Sequence, residues 1–162
     1  MLRRRLIPIV PALPRLVFQG VHSLDVGNAY RLAVLRDEAR GAFNIAAEPV
    51  LDPSELGRLL GARPVKVPEK PLRAAVDLSW RLRLQPTPAG WLDLALGVPL
   101  MDTTRARDEL GWSPSRSAGE ALLELIDAMR RGEGLDTDPL KPGGAGPLRI
   151  REFLTGVGRT SR

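Results

Sequence analysis

Few residues of this chain have the type and spacing to do chemistry. His22 is the only histidine. It stands where a short apolar run (Leu16, Val17, Phe18, Val21) gives way to an amphipathic one. Imidazole is the side chain best suited to move a proton near neutral pH, and open α/β sheets gather ligands at the carboxyl ends of their strands. Yet no carboxylate or serine stands at a spacing that would make His22 a general base, so bonding to the turn backbone is the reading we favour. Asp25, three residues on, sits in a first helical turn, where a carboxylate meets the positive helix end. It serves there, or it orients a neighbouring loop. Gln19 offers an amide, either for a polar substrate contact or for an inward bond to backbone. Arg105 and Arg107 follow a helix start, where the dipole does not favour cations. They meet a phosphate or simply face water. Asn44 reads as structural, and Trp112 as core packing beside Pro114. We assign no catalytic residue, no cofactor-binding residue and no metal ligand. The candidate substrate contacts are Gln19, His22, Asp25 and Arg105.

Composition narrows the classes further. The chain has 162 residues, enough for one domain of ordinary size. Without cysteine it has neither disulfides nor thiolate metal sites. No apolar run approaches the roughly 20 residues that span a bilayer. The opening MLRRRLIPIVPALP has the charge of a signal peptide, but its apolar part is short and broken by Pro8 and Pro11. A cytoplasmic setting is therefore expected. The net charge is +5, carried mostly by arginine. An anionic partner such as nucleic acid or a nucleotide-sugar phosphate would suit it, as would a GC-rich coding sequence. Apart from Arg3, Arg4 and Arg5, the basic residues are scattered among acids, with no aromatic-plus-basic stripe. Nucleic-acid binding is the least favoured class.

These candidates need a scaffold. Residues 16–21 read as a strand, the following run with Val26, Ala29, Tyr30, Ala33 and Val34 on one face as a helix, and residues 42–46 as a second strand. That is the βαβ unit of a parallel sheet. Ser23 is the expected cap of this helix and Gly41 its C-terminal stop, with Gly27 available for close packing on the sheet. Asp52-Pro53-Ser54-Glu55 starts another helix with a capping box, and Gly61 stops it. Residues 65–67 and 100–101 are possible short strands. Helices are expected over 72–84 and 90–96, forming a small lobe that contains Trp80 and Trp91. A helix starting at Asp102 or Thr103 ends at Gly111. Ser117 and Glu120 form a second capping box, opening an amphipathic helix with Leu122, Leu125, Ile126 and Met129 on one face. From residue 132 the composition turns to Gly, Pro and charge, as in segments that stay mobile.

Three of these stretches also carry a resemblance. VHSLDV at 21–26, GAFNIAAEP at 41–49 and DTTRARDELGWSP at 102–114 follow in the order, and at roughly the spacing, of the C-terminal half of extended short-chain dehydrogenases/reductases, the NAD-dependent epimerase/dehydratase family. The resemblance covers about residues 15–131. It implies a partial Rossmann-like parallel sheet of two or three strands with flanking helices and a small helical lobe over the substrate. It implies NAD or NADP for the complete enzyme, and a small-molecule substrate such as a nucleotide sugar. The family's glycine-rich cofactor turn and Tyr-x-x-x-Lys pair have no counterpart here: Val34 stands four residues after Tyr30, the only tyrosine. The expectation is a substrate-binding half, inert alone, whose cofactor half is encoded elsewhere or lost to a truncated gene or mispredicted start. Residues 1–14 would be an extended lead, 15–131 the family-like part and 132–162 a mobile tail. A strand left without its neighbour would invite self-association. Two other classes stand beside this one: a non-catalytic interaction module that uses an exposed sheet edge, and a basic nucleic-acid binder.

Overall fold

A computed structural model describes residues 8–84 and 87–134. The expected mobile tail, from residue 135 on, and residues 1–7 of the lead lie outside the described residues. The fold is mixed α/β, in the order β1 (Ile9–Ala12), β2 (Phe18–Gly20), α1 (Ser23–Leu35), β3 (Ala47–Leu51), α2 (Pro53–Leu60), β4 (Arg63–Lys66), α3 (Glu69–Arg81), α4 (Gly90–Gly97), α5 (Thr104–Leu110) and α6 (Ala118–Arg131). None of the described helices is long and apolar enough to cross a membrane.

The chain divides into two compact units. The first holds everything up to Lys66 together with Ala95–Ile126. Its parallel sheet has two strands, β1 and β4, in register from Ile9↔Arg63 to Ala12↔Lys66. The proline-punctuated lead thus supplies a strand, which its composition had concealed. Between β1 and β4 runs α2, whose buried Leu56 and Leu60 pack with Val10, Ala47 and Leu51. Burying one such leucine fully is worth about 1.5–3 kcal/mol. Gly57 lets this helix turn sharply back into β4: a Cβ there would lie 2.9 Å from the Ala62 carbonyl oxygen.

The βαβ expectation for residues 16–46 is corrected. β2 and β3 pair antiparallel, with Phe18 opposite Leu51 and Gly20 opposite Ala47. Residues 42–46 are not a strand, and β3 starts at Ala47. After α1 the chain does not enter the sheet. It runs back beside the helix, where Phe43 and Ile45 pack against Ala29, Leu110 and Trp112 in a second core. Arg105 donates to two carbonyls of this loop, those of Arg40 and Ala42. The return reverses direction, and β3 therefore meets β2 head to tail. Residues 100–101 are not a strand either.

Several helix ends also differ from expectation. The cap of α1 is His22, whose Nδ1 accepts the Leu24 amide at 3.2 Å. The helix stops at Leu35, while Gly41 takes its positive φ of 77° out in the return loop. Nothing lies within 4 Å of a Cβ built on Gly27, so that glycine mediates no close packing. Asp52 caps α2 as expected, at 2.8 Å from the Glu55 amide, but Glu55 turns to Arg58 instead of closing the box. The Ser117–Glu120 box forms in full: Ser117 Oγ accepts the Glu120 amide, and the Glu120 carboxylate accepts the Ser117 amide.

Among the described residues the second unit contains Val67–Leu94 and residues 127–134. Helices fall where the lobe was expected, although α3 begins three residues earlier, at Glu69. Arg73 forks onto both carboxylate oxygens of Asp93 at 2.8 Å, tying α3 to the start of α4. No residue of α3 is buried.

Candidate functional site

Two of the four sequence-derived candidates, His22 and Asp25, meet around the first turn of α1. Asp25 is 3% exposed. Its Oδ1 accepts the Ser115 amide at 2.9 Å and the Ser115 hydroxyl at 2.6 Å, and its Oδ2 accepts the Arg116 amide at 3.2 Å. Its backbone carbonyl accepts the Trp112 indole N–H at 2.9 Å. Burial opposes ionisation of this carboxyl, but the Ser115 and Arg116 donors more than offset it and hold the group below the usual carboxylate range. Asp25 therefore orients a neighbouring loop, the second of its two readings. Trp112 packs in the core as expected, and its hydrogen bond adds a tie to α1.

His22 has the carboxylate partner that the sequence did not reveal. Nε2 lies 3.2 Å from Glu124 Oε1 on α6. Nδ1 accepts the Leu24 amide and also faces Arg116 Nη1 at 3.2 Å. With Nδ1 accepting, the neutral ring carries its proton on Nε2 and donates to Glu124. Arg116 in turn approaches Glu124 at 3.7 Å. Both ring nitrogens are engaged, and among the described residues no serine or threonine hydroxyl bonds to either. The ring thus joins three segments: the end of β2, the turn before α6 and α6 itself. Glu124 is far away in the chain and looks like any polar-face residue of α6, so spacing gave no signal of it.

Gln19 behaves as a substitute peptide unit. Its amide nitrogen donates to the Met101 carbonyl at 3.1 Å, and its oxygen accepts the Met101 amide at 2.7 Å. This is the inward, backbone-bonded alternative. Asn44 does similar work, donating to the Asp102 carbonyl at 3.1 Å. The Thr104 hydroxyl, and after it the Thr104 amide on Asp102 Oδ1 at the start of α5, draw the Asp102 carboxyl down. Arg105 stands on α5 and reaches the return loop with its side chain. Besides the two carbonyls, it pairs with Glu109 at 2.6 Å and stacks 4.5 Å over the Phe43 ring. The carboxylate bonded to this guanidinium raises its affinity for its proton further. Arg107 meets Glu48 at 2.8 Å.

Beside α1 lies a half-open groove of about 400 Å³, lined by Val26, Ala29, Tyr30, Ala33, Gly41, Phe43, Ile45 and Leu110. Its volume falls within the range of small-molecule sites, and its walls are more apolar than polar. Among the described residues no group of three or more His, Cys, Asp or Glu could hold a metal ion.

The residues do not fit the pyrophosphate of a dinucleotide, which needs open backbone amides at a helix N-terminus behind a glycine turn. Three strands lead into helices, β2 into α1, β3 into α2 and β4 into α3, and none does so through a glycine-rich turn. At the first two a side chain of the chain itself takes a first-turn amide, His22 at Leu24 and Asp52 at Glu55, and at the third Pro68 stands before the helix without a side-chain cap. No family model, no curated protein and no solved structure matches this chain.

Proposed function

We propose that this chain is the substrate-binding half of an NAD(P)-dependent epimerase, dehydratase or reductase that acts on a nucleotide sugar or a related small molecule. One observation carries the reading. The three stretches that bear the family resemblance are far apart in sequence, yet they bond to one another: Asp25 of the first takes the indole of Trp112, and Asn44 of the second takes the Asp102 carbonyl. In this reading the partial Rossmann-like sheet is completed by a separate half that supplies the glycine turn, the NAD or NADP and the Tyr-x-x-x-Lys pair. Gln19, His22, Asp25 and Arg105 then shape the substrate side through the loops they hold. The chain is inert alone and works in the cytoplasm.

The test uses the isolated chain. Titration of NADH, followed by its fluorescence, gives no saturable signal. Millimolar UDP-glucose or dTDP-glucose shifts the resonances of His22, which are free of overlap because no other imidazole is present. Saturable micromolar NADH binding, or no shift with either sugar nucleotide, overturns the proposal. A second reading, an interaction module, draws on the sheets: among the described residues each strand has one partner, so each keeps an open edge. A nucleic-acid binder would instead show a salt-dependent shift of duplex DNA.

A further inference from the structure

We infer that His22 is a proton-operated latch: the neutral ring ties the start of α1 to Arg116 in the turn before α6, and a proton taken up at Nδ1 releases both while Glu124 keeps the ring. The inference is independent of the enzymatic reading.

The geometry fixes where an added proton must go. Two donors stand against Nδ1, the Leu24 amide and Arg116 Nη1, each at 3.2 Å. The ring can serve them only through the Nδ1 lone pair, so its one hydrogen is on Nε2, facing Glu124 Oε1 at 3.2 Å. Both nitrogens are donors in an imidazolium, and the second hydrogen therefore lands on Nδ1. There it removes the lone pair and sets an N–H against the N–H of Leu24. It also places a positive ring beside a guanidinium, a group that does not lose its own proton in proteins. At Nε2 nothing is lost, because the bond to Glu124 becomes an interaction between charges. One protonation thus opposes two contacts and strengthens a third.

The surroundings let these contacts open without unfolding the site. Three charged groups face the ring: Asp25 on α1, Arg116 in the turn and Glu124 on α6. Burial opposes the charge of Asp25, but the Ser115 and Arg116 donors hold its carboxyl below the usual range, so it stays ionised while an imidazole titrates. It goes on holding the backbone amides of Ser115 and Arg116. Only the Arg116 side chain is set free, and Glu124, 3.7 Å away, remains within its reach. The Leu24 amide lies in the first turn of α1, beside an exposed side chain, and water can replace its cap. The imidazole is 11% exposed, which gives solvent protons access to it.

The test is NMR of the full chain between about pH 8 and about pH 5, the interval in which imidazole ordinarily changes charge. Its ring signals stand alone because the chain has one histidine. The Leu24 amide shift follows the ring with the same midpoint, and hydrogen exchange at that amide, corrected for its intrinsic pH dependence, quickens about fivefold, the size of losing a helix cap. In His22→Asn the response disappears, since asparagine caps a helix but does not titrate. In Glu124→Gln it persists with a lower midpoint, because the carboxylate that favours imidazolium is gone. A ring that titrates while Leu24 stays unchanged overturns the inference. So does a ring that does not titrate, a Leu24 response that survives in His22→Asn, or a midpoint that Glu124→Gln leaves in place or raises. Should either variant fail to fold by circular dichroism, the ring 15N shifts of the wild type at pH 8 decide: hydrogen on Nε2 supports the latch, and hydrogen on Nδ1 refutes it.

Discussion

Ser115 gives Asp25 two hydrogen bonds, one from its amide and one from its hydroxyl, and thereby fixes the turn before α6 onto the first turn of α1. The hydroxyl contact, at 2.6 Å, has the length of a charge-assisted bond. The carboxylate form is the one that these donors require.

The linkage to pH follows from that. The folded-state value of the Asp25 carboxyl lies below its reference of 3.8. Its contribution to stability is therefore fully present above that reference and is lost as pH falls through the lower folded value. Urea unfolding at pH 6 and near pH 3 will show the wild type losing more stability on acidification than Asp25→Asn does. At pH 6 the Asn variant should be weaker by about 1–3 kcal/mol, the cost of leaving buried donors poorly paired. Equal pH dependence in the two proteins would show that Asp25 is not the group responsible.

Tryptophan fluorescence should separate Trp112 from Trp91. Of the three tryptophans, Trp112 is 1% exposed, Trp80 is half-buried and Trp91 is 62% exposed. In a Trp80→Phe background, acrylamide should quench Trp91 readily and leave a blue-shifted, protected component that vanishes when Trp112→Phe is added. The same variant leaves the Asp25 carbonyl without its indole donor and should cost about 1–3 kcal/mol. A protected component that persists in Trp112→Phe would place the buried indole elsewhere.

Two glycines in helices should respond oppositely to alanine. Gly27 has open space around its Cβ position, so Gly27→Ala should raise stability by about 0.5–1 kcal/mol through helix propensity. At Gly57 the new Cβ would meet the Ala62 carbonyl oxygen and Pro64 Cγ, each at 2.9 Å. Backbone and a proline ring give way poorly, and the substitution should cost about 1–3 kcal/mol. Thermal melts of the two variants read the sign directly.

The contrast between these glycines also shows what the sequence could and could not reveal. Caps and stops were legible where the signal is local: Asp52, Gly61, Gly111 and the Ser117–Glu120 box need only residues a few positions apart. At α1 the cap shifted from Ser23 to His22, because an imidazole can accept an amide as a hydroxyl does. Strand direction was not legible. Residues 42–46 have strand-like composition, but Phe43 and Ile45 serve the core beside α1. The site was legible as a set of residues and not as a set of bonds. His22, Asp25 and Gln19 do meet other segments, but Glu124, Ser115 and Met101 are too distant in sequence for any spacing rule to pair them.

The parallel pairing of β1 with β4 sets an order of assembly. β2, α1, β3 and α2 all lie between the two strands in the chain, so their ladder closes a long loop, and the entropy of that closure must be met before any of its contacts form. The antiparallel β2–β3 pair and the helix caps involve shorter separations and can form earlier. Contacts between residues distant in sequence slow folding, and docking of Ile9–Ala12 alongside Arg63–Lys66 is the most sequence-distant strand pairing here. β1, which a ribosome releases before β4, would thus wait for β4 to be made before the two can pair.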